Sequence, residues 1–314
     1  MDRLNLVYLY ADDMGRGMLS CYGQQILRTR HIDRLASRGV RFTNFCANAF
    51  CAPARASLLC GIHDAHAGRW SYTPGAYYKK ISTGAISFDE LQEVLQFVGV
   101  RPAAGTCTLA NLAKKAGYAT GQVGKLEWGF STTVREMAEH GWDEYFGYLD
   151  HIRAHGYYPP FLVENGQVVP IGGNTDPHCG RPPYMGPDGH PDEADRDRAG
   201  RARYSQDLFD DWILRFLRAH RDEPFFLYHP SQLPHGPVFY PDLHPQVADR
   251  RDLTRIEKEY ASMVLRFDDT VGKVVDELER LGLSDRTLVI VASDNGHTVH
   301  DYRRVGRTDP DTQL

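Results

Sequence analysis

Several common sequence features are missing from this chain, and each absence narrows its possible functions. The six cysteines, at positions 21, 46, 51, 60, 107 and 179, form no Cys-x-x-Cys pair, so their spacing indicates neither a disulfide framework nor a zinc site. No apolar run reaches the length of a transmembrane helix. No basic tract dominates and the formal net charge is -5, which argues against nucleic acid as a partner.

A secretory leader is also not seen, because a strand is predicted directly after the first three residues. We therefore expect a cytoplasmic protein from the sequence as it stands. If a leader has been removed, we expect a periplasmic or secreted protein instead.

The chain alternates predicted strands with predicted helices over 314 residues, and its 42% hydrophobic content is enough for a sizeable core. Apolar runs predict strands at residues 4–10, 118–124, 224–229 and 287–292, and an alternating segment predicts another at residues 40–47. Helical spacing predicts helices at residues 30–38, 51–61, 109–116, 204–220 and 256–281. This alternation is typical of an α/β fold with a doubly wound, mostly parallel sheet and helices on both faces.

Polar residues follow four of the predicted strands. They are Asp12 and Asp13, then Lys125, then His235, and finally Asp294 and Asn295. Because ligands bind beyond the carboxyl ends of parallel strands, we expect these side chains to meet at one edge of the sheet. Three carboxylates and one amide favour Ca²⁺ or Mg²⁺. Taken singly, Asp13 could instead cap a helix in a solvated turn, and Lys125 could be a solvated surface lysine.

Residues 50–61 place a thiol, a proline and an arginine at the predicted start of a helix. Pro53 suits the first turn, where its missing N–H is no loss, and Gly61 suits the helix end. Cys51 would lie among unpaired backbone N–H groups at the positive end of the helix dipole, a setting for a group that carries or attacks an anion. Arg55, one turn on, could direct a bidentate donor to that anion. The alternative is that Cys51 is a buried structural thiol.

This segment resembles the signature of the type I sulfatases, Cys-x-Pro-x-Arg followed by small residues, Leu-Leu, a small residue and Gly. Ala54 stands where serine is usual, and Cys60 stands where threonine is usual. The resemblance extends over residues 4–296 and implies the fold of the alkaline phosphatase superfamily. It also implies that a formylglycine-generating or sulfatase-maturating enzyme oxidises Cys51 to formylglycine, whose hydrated aldehyde would be the nucleophile.

The resemblance implies roles for the other candidates as well. It implies a bound Ca²⁺, with Mg²⁺ as the alternative, held by Asp12, Asp13, Asp294, Asn295 and the modified Cys51. Arg55 would stabilise the nucleophile together with the cation, and Lys125 would bind the sulfate. His235, which lies between prolines after a strand, would face the scissile ester and protonate or hydrogen-bond to the leaving group.

Two departures from the family pattern bear on this scheme. The commoner family form has histidine two residues after the lysine, and Glu127 occupies that place. A carboxylate cannot donate to an anionic ester unless it is protonated, so we expect Glu127 to have either a different role or a raised pKa. Glu127 or Asp294 is the candidate base of a second step. The family's second sulfate-binding lysine and its C-terminal antiparallel subdomain do not occur before Leu314, so we expect residues 1–314 to form the N-terminal catalytic domain without that subdomain.

Three functions follow from these residues. The first is a sulfuric ester hydrolase acting on a sulfated carbohydrate or an aryl sulfate. The second is a phosphonate or phosphate ester hydrolase of the same superfamily, and the third is a truncated, non-catalytic relative that binds sulfated glycans.

The segments expected to select the substrate are the hardest to interpret. Residues 141–165 are crowded with aromatic rings and histidines, which predicts a surface loop packed by its own rings or, alternatively, a face for a sugar or aryl group. Residues 172–203 are rich in Pro, Gly and charge, which predicts a mobile excursion. Residues 72–106 give no clear prediction.

Overall fold

The computed structural model describes residues 3–63, 77–98, 105–128, 133–176, 199–236, 240 and 242–297. Within this part, seven strands form one sheet in the order β5-β4-β3-β2-β6-β1-β7. The strands are β1 (Asn5–Ala11), β2 (Ala119–Lys125), β3 (Glu144–Tyr148), β4 (Phe161–Glu164), β5 (Gln167–Pro170), β6 (Phe225–Pro230) and β7 (Thr287–Ser293). The helices are α1 (Arg30–Ser37), α2 (Cys51–Cys60), α3 (Tyr77–Ser82), α4 (Phe88–Val98), α5 (Leu109–Lys115), α6 (Val134–Glu139), α7 (His151–Ala154), α8 (Ser205–Ala219), α9 (Pro245–Ala248) and α10 (Arg255–Arg280). Short 3-10 helices lie at Arg16–Met18, Ser20–Tyr22 and Ser284–Arg286.

Most of the sheet is parallel. Strand β1 pairs in parallel with β6 on one side and β7 on the other, so that Leu6 lies opposite Phe226 and Leu288. Strand β2 joins β6 to β3, again in parallel. The exceptions are β4 and β5, an antiparallel hairpin that pairs with β3 and ends the sheet. The predicted mostly parallel α/β sheet is confirmed.

The two faces of the sheet are covered by different helices. Successive side chains of a strand point to opposite faces, and β1 shows this directly. Val7 and Leu9 belong to the cluster that contains the apolar faces of α8 and α10. Tyr10 belongs to the second cluster, with side chains of α2 and α5. The doubly wound arrangement is therefore confirmed.

The predicted helix and strand bounds agree with the structure to within one or two residues where the local signal is strong. Thr254 and Glu257 form a reciprocal capping box at the start of α10, and Thr108 and Asn111 form one at the start of α5. Gly61 ends α2 with φ of 66°, a conformation that glycine adopts without strain. No helix in the described part of the chain is both long and apolar enough to cross a membrane.

The strand predicted at residues 40–47 is wrong, because this segment is an irregular surface stretch. Val40 is 82% exposed, and Phe42 and Phe45 are each 67% exposed. A strand requires a free partner, but β1, the nearest predicted strand in the chain, is already paired on both sides. The segment also pairs with neither of the edge strands, β5 and β7, so its alternation of aromatic and polar residues does not lead to a strand.

The prediction of a surface loop at residues 141–165 is also wrong. This region forms β3, α7 and β4, and its rings are buried: Trp142 and Tyr145 lie against the α2 face, while Phe146 and Tyr157 lie against the other. The rings pack against the sheet because β3 extends it beyond β2.

Two further segments fall partly outside the described residues. Residues 177–198, the centre of the segment predicted to be a mobile excursion, lie outside them. The flanks of that segment are tied together by a bridge between Asn174 and Arg201, and the Asn174 amide donates to the carbonyls of Pro159 and Arg203 at 2.9 and 2.8 Å. The unassigned region at residues 72–106 contains α3 and α4.

Gly124 allows β2 and β6 to approach closely just before Lys125. Its φ is 127°, and an added Cβ would lie 2.4 Å from the carbonyl oxygen of Pro230. A side chain at this position would therefore push against a backbone atom of the neighbouring strand. The position of Lys125 depends on this close contact.

Candidate functional site

The carboxyl ends of four parallel strands meet at one edge of the sheet, and the polar residues noted in the sequence follow them. Asp12 and Asp13 come after β1, Lys125 ends β2, and Asp294 and Asn295 come after β7. Because β1 and β7 are neighbours in the sheet, Asp12 and Asp13 lie beside Asp294 and Asn295. The backbone N–H of Asp13 donates to Asp294 Oδ1 at 3.1 Å, which fixes this juxtaposition.

Three carboxylates form a compact cluster at this edge. Oxygen atoms of Asp12, Asp13 and Asp294 lie within 4.8 Å of one another, and all three residues are buried. Asn295 joins the cluster, since its Nδ2 donates to Asp13 Oδ1 at 2.5 Å. Asp13 has a φ of 59°, and this turn directs its backbone N–H toward Asp294.

Two oxygen atoms in this cluster have no hydrogen-bond partner. Asp12 Oδ1 and Asn295 Oδ1 are both buried and accept no hydrogen bond, although Arg55 Nη2 lies 3.6 Å from Asp12 Oδ1. Burying a polar oxygen without a hydrogen bond costs free energy, so such atoms indicate a binding site for a ligand. Hard oxygen donors of this kind fit a divalent cation such as Ca²⁺ or Mg²⁺.

Arg55 and Lys125 place two buried positive charges against the cluster. Arg55 donates to Asp294 Oδ2 through Nε at 3.2 Å and through Nη2 at 2.9 Å, and Nη2 also donates to the Ser231 carbonyl at 3.2 Å. Lys125 Nζ donates to Asp12 Oδ2 at 2.5 Å. Both side chains are fully buried, so Lys125 is not the solvated lysine that its position in the sequence also allowed.

The acids respond differently to these neighbours. Burial alone would raise the pKa of Asp12, but Lys125, His235 and Arg55 outweigh it and hold that pKa well below its usual range. Burial and the nearby Asp12 raise the pKa of Asp294 well above its usual range, despite its contact with Arg55. The three carboxylates therefore crowd more negative charge into the site than its cations neutralise.

Cys51 is the first residue of α2 and lies within reach of these charges. Burial raises the pKa of its thiol to about 11, and Lys125, Asp12, Asp294 and Arg55 all act on it electrostatically. The structure thus brings the helix start and the acidic cluster together. Among the described residues, two compact groups could hold a metal ion: Asp12, Asp13 and Asp294 form the all-carboxylate group, and Asp12 with His155 and His235 forms the other. Neither group includes the Cys51 sulfur. An unmodified thiol with this pKa stays protonated at neutral pH and is a weak nucleophile.

His235 lies in the site beside a residue that the sequence analysis missed. Its Nε2 is 3.3 Å from Asp13 Oδ2, and its ring stacks on His155 with centroids 3.5 Å apart and 10° between the planes. His155 Nε2 is 3.0 Å from Lys125 Nζ. Burial, His235 and Lys125 hold the pKa of His155 well below its usual range. The signal that could have identified His155 is its position shortly after a strand, β3, but the sequence predicts a loop there.

Glu127 is turned toward other partners. Its carboxylate accepts hydrogen bonds from the Trp142 indole and interacts with His140 Nδ1, both at 2.9 Å. Burial lowers the pKa of His140, but Glu127 more than compensates and raises it overall. Glu127 has a φ of 48°, in the sharp turn that follows Lys125. These contacts attach the turn to α6 and β3.

Comparisons with known proteins agree with this arrangement. A family model described as Sulfatase matches residues 4–313. An N-acetylgalactosamine-6-O-sulfatase of Bacteroides thetaiotaomicron is 30% identical over 95% of this chain and 60% of its own length. The N-acetylgalactosamine-6-sulfatase of Rattus norvegicus is 31% identical over 93% of this chain and 50% of its own length. A solved structure titled for the metabolism of multiple glycosaminoglycans by Bacteroides thetaiotaomicron superposes with a TM-score of 0.70 at 26% identity, covering 96% of this chain and 64% of that one.

The fold and the acidic cluster at the strand ends define an α/β protein of the alkaline phosphatase superfamily. Within it, the chain belongs to the sulfatase family. It spans between half and two thirds of the length of the curated relatives named above.

Proposed function

We propose that this chain hydrolyses sulfate monoesters of a sulfated carbohydrate. The observation that carries the proposal is that Cys51, Lys125 and Arg55 lie beside a cluster of buried carboxylates. Two oxygen atoms in this cluster accept no hydrogen bond. One edge of the sheet thereby offers a nucleophile position, two anion-binding cations and a divalent-cation site. The names of the relatives, which are sulfatases of N-acetylgalactosamine 6-sulfate, support a carbohydrate substrate.

The residues fit both groups that the family uses. Asp12, Asp13, Asp294 and Asn295 would hold the divalent cation, since Asp12 Oδ1 and Asn295 Oδ1 are buried and accept no hydrogen bond. An all-oxygen set suits Ca²⁺ or Mg²⁺, and we favour Ca²⁺ from the family resemblance. Formylglycine at position 51 would supply the nucleophile, and the cation would polarise a sulfate oxygen.

Lys125 and Arg55 are assigned to binding the anion. Both are buried and hold their charge, since nearby carboxylates outweigh the effect of burial and raise the pKa of each group. In a water-poor site such fixed charges stabilise the charge that develops on sulfate oxygens far more than they would in solvent. Both side chains are already held by Asp12 and Asp294, so little reorganisation is needed when the anion arrives.

His235 is assigned to the leaving group. Its Nδ1 is hydrogen-bonded to the Gly236 carbonyl, which leaves Nε2, near Asp13 Oδ2, as the atom that can exchange a proton with a substrate. Glu127 is assigned to holding the turn after Lys125 rather than to proton transfer, because its carboxylate is bound to His140 and Trp142.

Turnover of 4-nitrophenyl sulfate and of N-acetylgalactosamine 6-sulfate tests the proposal, with Ca²⁺ present and the protein produced in a host that has a competent maturation enzyme. Cys51→Ala should abolish both activities, and Cys51→Ser should do so where the maturation enzyme accepts only cysteine. Mass spectrometry of the Cys51 peptide should show the loss that accompanies conversion of a thiol to an aldehyde. Near-wild-type turnover by Cys51→Ala would refute the scheme.

Two further outcomes would point to the other functions. A preference for 4-nitrophenyl phosphate over the sulfate would favour the phosphate ester hydrolase. An intact thiol without turnover, from the same host, would favour a protein that binds sulfated glycans without cleaving them.

A further inference from the structure

His155 occupies a central place in the site, although no role is predicted for it from the sequence. It follows α7, after β3, and its side chain is only 15% exposed. It contacts Lys125 through Nε2 and His235 through the flat face of its ring. These are the two residues assigned to the sulfate and to the leaving group.

The contact with Lys125 limits how the ammonium group can rotate. An ammonium group has three N–H donors and no acceptor. One donates to Asp12 Oδ2 at 2.5 Å, and a second is directed at His155 Nε2 at 3.0 Å. Two fixed partners determine the direction of the third N–H. Because Lys125 can only donate, Nε2 must accept, which assigns the proton of the neutral His155 ring to Nδ1.

The contact with His235 fixes the plane of the second ring. The two imidazoles are nearly parallel, at 10°, with centroids 3.5 Å apart. His235 Nδ1 is bound to the Gly236 carbonyl and Nε2 faces Asp13. The stack prevents the ring from tilting about these two contacts.

We propose that His155 is a positioning residue that sets the rotation of the Lys125 ammonium and the plane of the His235 ring. It thereby couples sulfate binding to protonation of the leaving group. This inference rests on the proposed sulfatase function. Glu127, which lies closer to Lys125 in sequence, cannot take this place while its carboxylate is bound to His140 and Trp142.

Two variants separate the two contacts. His155→Phe keeps a flat ring for the stack but removes the acceptor for Lys125. His155→Gln keeps an acceptor but removes the stacked ring. His220→Gln is a matched control, because His220 also packs on an aromatic ring, Phe216, and contacts carboxylates, but it lies between α8 and β6 at the opposite end of the strands.

The readouts are turnover of two esters and binding of inorganic sulfate. 4-Nitrophenol leaves readily without an acid, whereas a sugar hydroxyl needs one, so only the sugar sulfate reports on His235. We expect His155→Gln to lower kcat for N-acetylgalactosamine 6-sulfate about tenfold while 4-nitrophenyl sulfate changes less than about twofold. We expect His155→Phe to weaken sulfate binding and to raise KM for both esters about tenfold, in keeping with loss of a hydrogen bond to a charged group.

A merely structural role would change both esters alike in both variants, with lower thermal stability as the cause. That outcome would overturn the inference. So would kcat and KM values for the two esters that stand in the same ratio in both variants as in the wild type. If the wild type cleaves neither ester, the proposed function fails. Binding of inorganic sulfate then still tests whether the contact between His155 and Lys125 orients the ammonium group. Calorimetry on the unmodified thiol protein should then show weaker sulfate binding for His155→Phe than for His155→Gln, and equal affinities would refute it.

Discussion

Acid should destabilise this protein through His229, a fully buried histidine of β6. Its Nδ1 is 2.7 Å from the Val123 carbonyl and its Nε2 is 3.0 Å from Gln206 Nε2. A carbonyl can only accept and an amide N–H can only donate, so the neutral tautomer with the proton on Nδ1 satisfies both contacts. A second proton would fall on Nε2, against the Gln206 amide.

The size of the effect follows from the pKa. Burial lowers the pKa of His229 from 6.5 to about 4. Between these two pKa values the histidine is protonated in the unfolded chain and neutral in the folded protein. The free energy of unfolding therefore falls as the pH falls through this window. A difference of 2.5 units corresponds to about 3 kcal/mol once the pH is below both values, and to roughly 2 kcal/mol at pH 5. Above pH 7 the contribution does not change with pH.

Urea unfolding of the wild type and of His229→Asn between pH 4.5 and 8 measures this contribution. Asparagine keeps a donor for the Val123 carbonyl but cannot titrate. The variant should be less stable at neutral pH, and the gap between the two proteins should narrow by roughly 2 kcal/mol on going to pH 5. Other titrating groups are common to both proteins and cancel in the difference. Parallel pH profiles would show that His229 is not held neutral by burial.

Three other perturbations test the site itself. Gly124→Ala should both lower the melting temperature and weaken sulfate binding, because its Cβ would lie 2.4 Å from the Pro230 carbonyl oxygen. Thermal unfolding measures the first effect and calorimetry measures the second. Arg55→Met should cost about 3–5 kcal/mol in urea unfolding, since it leaves the buried Asp294 without its cation. Ca²⁺ should raise the melting temperature of the wild type in scanning calorimetry, and Asp12→Asn should remove that shift while a chelator reverses it in the wild type.

The sequence predicted those parts of the fold that depend on neighbours along the chain. Apolar runs located β1 and β6 because a strand buried on both faces needs no alternation, and a similar run located the more exposed edge strand β7. Cys51, Pro53 and Gly61 located α2 because helix ends are set by local chemistry. The edge of the sheet at which the polar residues meet followed from the rule for parallel strands. Their roles were expected from the family resemblance.

What could not be predicted depends on contacts between distant parts of the chain. The stretch at residues 40–47 has the pattern of a strand, but it pairs with none of the seven described strands, and β1, the nearest in sequence, is already paired on both sides. His155 gained its place only because β3 adds to the sheet beside β2 and carries the chain to Lys125. The direction of Glu127 depends on His140 and Trp142, which lie beyond the next helix.

The charges of the site form a consistent set once a divalent cation is considered. Among the described residues, the three carboxylates of Asp12, Asp13 and Asp294 exceed the two positive charges of Arg55 and Lys125 by one. The raised pKa of Asp294 expresses this excess, because a proton on that carboxyl would relieve it. A bound divalent cation would reverse this balance and leave these groups with one net positive charge. A sulfate monoester carries one negative charge and a phosphate monoester about two at neutral pH. With the cation bound, the net charge of these groups would therefore balance that of a sulfate ester. This supports the proposed substrate independently of the family resemblance.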